Sequence, residues 1–104
     1  MIDLDEKQKE VVENKKNHGW KLGDIKSEFL LLYGEVAEAY DAYNKNFEKE
    51  ELGSELADIA IYLLGISEML GFSLAEEIVK KMETNSHRIY KKVDGKTIKV
   101  DDRN

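Results

Sequence analysis

The stretch "GEVAEAYDAY", residues 34–43, sets carboxylates at Glu35, Glu38 and Asp41 among alanines, a valine and two tyrosines. Apolar residues also recur at three- and four-residue spacing upstream, at Phe29, Leu32 and Tyr33. That period predicts one amphipathic helix. Asp24 is its expected N-cap, and it should run to about Tyr43. An α-helix turns by about 100° per residue. With Glu35 as origin, Ala39, Leu32, Tyr43, Val36, Phe29, Tyr40 and Tyr33 fill an arc from roughly 40° to 160°, the expected core face. Glu35 then stands at the edge of that face. Leu31 and Ala42 lie beside it, and Glu38 follows at about −60°.

A second acidic pair lies downstream in "ELADIAIYLLGISEML", residues 55–70. The helix expected there starts near Glu48 and ends at Leu70, with Gly71 in the C′ position. On its wheel Glu55 falls in the middle of the apolar stripe, between Ile59 and Ile66 on one side and Tyr62 and Met69 on the other. Asp58 lies at about −60°. A carboxylate centred on a core face is costly unless it is protonated, paired or bound to a metal. The connection "NKNFEKEE" is short and polar, so the two helices should pack antiparallel. Glu35, Glu38, Glu55 and Asp58 then converge, and they cannot all ionise at neutral pH without a compensating cation. Oxygen-only ligands select a hard ion, Mg²⁺ or Mn²⁺.

The rest of the chain is read around this pair. Residues 3–17 form a polar helix with a thin apolar stripe of Leu4, Val11 and Val12. Ser73 and Glu76 make a capping-box signature for a fourth helix, expected to run to about Arg88. Asp94-Gly95, between alternating residues, signals a β-hairpin. Glu28, Glu48, Glu50, Glu51, Glu68 and Glu77 are read as surface or capping acids. His18 and His87 are read as surface residues.

The totals bound the function. A chain of 104 residues suits one domain, 1–104, with a core region at about 20–90 and a hairpin or tail at 91–104. The charged fraction is 37% and proline is absent, which favours long helices. The net charge of −6 argues against binding a nucleic acid polymer. It leaves room for a nucleotide held through a cation. Cysteine is absent, which removes disulfides and thiolate metal sites. With no apolar run long enough for a bilayer and no signal peptide, a cytoplasmic location is expected.

The order of these motifs resembles the MazG-like branch of the all-α nucleoside triphosphate pyrophosphohydrolases. "GEVAEAYDAY", a spacer, and "ELADIAIYLLGISEMLGFSLAEEIVKKMETNSHRIY" carry ExxE, then ExxD, then Lys81, Asn85 and Arg88. The match spans about Trp20 to Tyr90. The resemblance implies an all-α, four-helix MazG-like bundle with a short C-terminal β-hairpin or extended tail. It implies Mg²⁺-dependent hydrolysis of a nucleoside triphosphate, ribo- or deoxyribo-, to the monophosphate and pyrophosphate, a house-cleaning of the nucleotide pool. Mn²⁺ would be a substitute ion. Glu35, Glu38, Glu55 and Asp58 would hold the metal, and Glu35 or Glu38 would orient or deprotonate the attacking water. Lys81 and Asn85, four apart on one helix face, would clamp phosphate, and Arg88 would extend that face. Trp20 would lie near the base or sugar, its alternative being a lid or core anchor.

Two other readings compete. One is a phosphoribosyl-ATP pyrophosphohydrolase-like enzyme. The other is a non-catalytic helical protein–protein module whose acids pair with Lys or Arg across an interface. A homodimer or homotetramer is expected, because four modest helices cannot cover the broad apolar faces of the second and third.

Overall fold

Four helices and a C-terminal hairpin follow one another in the computed structural model, in the order α1 (Leu4–Asn17), α2 (Ile25–Lys45), α3 (Lys49–Leu70), α4 (Leu74–Ser86), β1 (Arg88–Val93) and β2 (Lys96–Asp102). It describes residues 1–19, 23–45, 48–93 and 96–102, from Arg88 onward as backbone alone. Four helices make up most of the chain, and the fold is all-α in character. Contacts group the chain into two compact units, Met1–Leu74 and Ala75–Asn104.

Local signals set the helix ends of the first unit. Asp3 caps α1, its carboxylate accepting from the Glu6 N–H at 3.2 Å. Asp24 does the same for α2, accepting from the Ser27 N–H at 3.2 Å and from the Ser27 hydroxyl at 2.7 Å. These bonds favour the charged form and hold the Asp24 carboxyl below its ordinary value. Gly71 ends α3 in the left-handed region, φ 86°, and its N–H reaches back to the Ser67 and Glu68 carbonyls.

Helix α3 is the centre of the unit, with α2 packed along one side and α1 along another. Three residues join α2 to α3, so the two run antiparallel. Val12, Ala39, Leu64 and Ile66 form the buried apolar core, and no described side chain is fully buried. Gly65 lets α1 approach: a Cβ there would stand 3.2 Å from Val11 Cγ1. Gln8 is 4% exposed and staples α1 to the end of α3. Its amide nitrogen donates to the Phe72 carbonyl at 2.7 Å and to Glu68 Oε1 at 3.1 Å, and its oxygen accepts from the Leu74 N–H.

The expected core face of α2 is corrected here. Tyr43, Val36, Phe29, Tyr40 and Tyr33 are exposed, at 44–72%. The covered stripe holds Glu28, Leu32, Glu35, Ala39 and Ala42, so Glu35 is central in it rather than at the edge. The reason is size. Two helices approach most closely over small residues, and Ala39 and Ala42 sit on the side that meets α3.

In the second unit, α4 ends at Ser86 and the His87 N–H closes the last turn on the Thr84 carbonyl. The expected helix to Arg88 is therefore too long. Arg88 opens β1 and pairs with Asp102, so it does not extend the helical face of Lys81 and Asn85. The β-branched and aromatic run after it suits an extended chain. The hairpin is antiparallel, from Arg88↔Asp102 to Val93↔Lys96, with an irregularity between Ile89 and Tyr90. Asp94 and Gly95 lie outside the described residues.

Candidate metal centre between α2 and α3

Antiparallel packing brings the ExxE and ExxD segments face to face. Glu35 from α2, and Glu55 and Asp58 from α3, each present a carboxylate oxygen, and these atoms lie within 4.8 Å of one another. Glu35 and Glu55 are half-buried and Asp58 is exposed. Glu35 Oε2 and Glu55 Oε2 are buried with no hydrogen-bond partner. Among the described residues, no ion pair reaches any of the four sequence-predicted acids.

Glu38 is exposed and stands outside the closest trio, yet it acts on it. Burial pushes the Glu35 carboxyl above its ordinary value, and repulsion from Glu38, Asp58 and Glu55 adds to that. Glu55 is raised likewise, by burial first and then by Glu38, Asp58 and Glu51. A hydrogen bond with Glu38 works in the same direction on both. Each carboxylate thus disfavours the charge of its neighbours, the condition a bound dication would relieve. Glu38 also lines a pocket of about 260 Å³ with Asp41, Ala42, Lys45, Glu51 and Glu55.

Beside the acids lies an ion pair that sequence reading missed. Glu28, expected at the surface, is buried, and its Oε1 accepts from Lys15 Nζ of α1 at 2.5 Å. Lys15 Nζ also stands 5.5 Å from the ring centroid of Tyr62, one turn beyond Asp58 on α3. Tyr62 is pushed above its ordinary pKa by burial, then by Glu35, Glu28, Asp58 and Glu38. The signal for Glu28 was present: it lies seven residues before Glu35, hence on the same helix face. Lys45, on the pocket wall, was also passed over.

The remaining predicted residues lie elsewhere. Lys81 and Asn85 are exposed on α4, in the second unit. Arg88 is on β1, and Trp20 lies outside the described residues. His18 and His87 are exposed as expected; His87 Nε2 sits 2.7 Å from Glu83 Oε1. No single described helix is long and apolar enough to cross a membrane. Comparison with models of known protein families, with curated proteins and with solved structures finds no match.

Proposed function

We propose that this chain is a MazG-like nucleoside triphosphate pyrophosphohydrolase that cleaves between the α and β phosphates with Mg²⁺ as cofactor. The observation that carries the reading is the convergence of Glu35, Glu55 and Asp58 with two buried, unpartnered carboxylate oxygens. A buried acceptor without a donor is expensive. Two of them, on acids of an all-oxygen cluster that no ion pair reaches among the described residues, fit a hard divalent ion. The ExxE–ExxD order and spacing support the same reading.

Glu35, Glu55 and Asp58, with Glu38 alongside, would hold the ion. When bound, Mg²⁺ supplies charge neutralisation at phosphate oxygens and a bound water of lowered pKa. The protein's own part is positioning. Glu35 or Glu38 would orient the attacking water and accept its proton. The resemblance assigns phosphate binding to Lys81, Asn85 and Arg88. Trp20 would approach the base or sugar. The substrate is a ribo- or deoxyribonucleoside triphosphate, and the chain works as a homo-oligomer.

The test is a panel of NTPs and dNTPs with millimolar Mg²⁺, scored for both pyrophosphate and orthophosphate. Pyrophosphate with the matching monophosphate is the expected product, and Glu55→Gln should abolish its release while leaving helical content unchanged. Release of orthophosphate, or full activity in Glu55→Gln, would refute the assignment.

A further inference from the structure

Helix α1 supplies none of the four acids, yet one of its side chains holds both helices that do. Lys15 Nζ donates to Glu28 Oε1 on α2 at 2.5 Å and stands 5.5 Å from the centroid of the Tyr62 ring on α3. It also lies over Gly65 of α3, where a Cβ would touch the same nitrogen at 3.9 Å. Among the described residues this is the one ion pair that joins two helices; the others link residues three or four apart.

Glu28 lies seven residues before Glu35, and Tyr62 and Gly65 lie seven after Glu55 and Asp58. Seven residues make two turns, about 10 Å of helix. Because α2 and α3 are antiparallel, Glu28, Tyr62 and Gly65 share one level, beyond the acids and away from the three-residue connection. The carboxylate trio is therefore bracketed, by the connection on one side and by Lys15 on the other. Between these points Glu35 faces Glu55 and Asp58 within 4.8 Å, and like charges so close push the two helices apart. The connection resists at its own end. At the far end the resistance comes from side chains.

We infer that Lys15 is a positioning residue of the acid cluster: by gripping Glu28 and Tyr62 it keeps α2 and α3 at the separation at which Glu35, Glu55 and Asp58 can hold one ion. The inference rests on the metal role given to those acids under the proposed function. Stability alone is a poor account of the pair, since apolar residues of like volume often serve a core as well as a buried ion pair does. What apolar residues lack is a bond of fixed length and direction. Nor does the charge of Lys15 help directly. A cation two turns from the cluster repels a metal ion, so its own field works against binding.

The probe is Mn²⁺ alone, titrated into the full chain and followed by the electron paramagnetic resonance of the free ion. Lys15→Met should weaken Mn²⁺ binding about tenfold, the low end for a lost outer-shell partner, because the Lys15 bond goes to Glu28 and not to a ligand. Loss of a positive charge by itself would tighten binding instead. The double variant Lys15→Met/Glu28→Leu guards against misfolding. It leaves the net charge unchanged and strands no carboxylate, yet it still lacks the clasp. Its urea midpoint should return close to wild type while its Mn²⁺ affinity stays about tenfold down. Wild-type affinity in the double variant would overturn the inference and leave Lys15 a purely structural residue beside an intact metal centre. A wild-type chain that binds no Mn²⁺ would overturn the metal reading itself, and this inference with it.

Discussion

Replacing Lys15 by methionine should be among the more damaging single changes to the first unit. The Lys15 ammonium lies 2.5 Å from Glu28 Oε1, and the two side chains retain only 16% and 11% of their exposure. Glu28 Oε2 already has no hydrogen-bond partner. Lys15→Met would strand both oxygens of a buried carboxylate with no cation. Breaking such a pair costs about 3–5 kcal/mol in fully buried cases. This pair keeps slight access to water, so we expect about 3 kcal/mol. The cation–π contact with Tyr62 is exchanged for a thioether contact of similar size, so it changes the sum little. The reverse change should hurt less. In Glu28→Leu the Lys15 stem can carry its ammonium to solvent, at a cost of about 1 kcal/mol. The double variant Lys15→Met/Glu28→Leu removes both charges and should return to within about 1 kcal/mol of wild type. Urea unfolding followed by circular dichroism at one chain concentration measures all four proteins. With a slope of about 1.5 kcal/mol per molar urea, Lys15→Met should lower the midpoint by about 2 M. A loss under about 1 kcal/mol, or a double variant less stable than Lys15→Met alone, would refute the reasoning, since no stranded charge would then be present.

Three further outcomes can be checked. Millimolar Mg²⁺ or Mn²⁺ should raise the melting temperature of the wild-type chain, because a ligand of the native state adds about 2.7 kcal/mol of stability at 100 times its dissociation constant. Glu35→Gln and Glu55→Gln should each lose most of that rise, and an equal rise in either would remove that residue from the metal set. Without metal, Glu35 and Glu55 titrate above their usual 4.5 in the folded chain, so their contribution is complete below that value and is lost as pH rises through the raised folded values. The stability difference between wild type and Glu35→Gln/Glu55→Gln should therefore fall with rising pH across that window in thermal melts with chelator; a flat or rising difference would contradict the shift. Gly71→Ala should cost about 1 kcal/mol, because an alanine must hold the left-handed conformation that ends α3, and an unchanged urea midpoint would count against that cap.

The helices, the caps at Asp24 and Gly71, and the face-to-face acids were legible in the sequence because each rests on a local signal, Asp24 and Gly71 at the ends and ExxE and ExxD within; Asp3, the cap of α1, was not singled out. What stayed hidden was which apolar face of α2 its own chain uses. A wheel reports where apolar residues lie, and on α2 they occupy more than half the circumference. The aromatic half drew the core assignment because large side chains carry more hydrophobic weight. Close helix approach depends instead on small residues, and Ala39 and Ala42 turned the other half inward. That one rotation accounts for several of the corrections together. It puts Glu35 at the centre of the contact with α3, draws Glu28 in with it to be met by Lys15, and leaves five large apolar residues facing outward in heptad register. A helix that turns Glu28 and Glu35 into its own unit and its aromatics outward is unstable as a lone rod in water. Its inward acids are met by Lys15 at Glu28 and, under the proposed function, by a cation at Glu35.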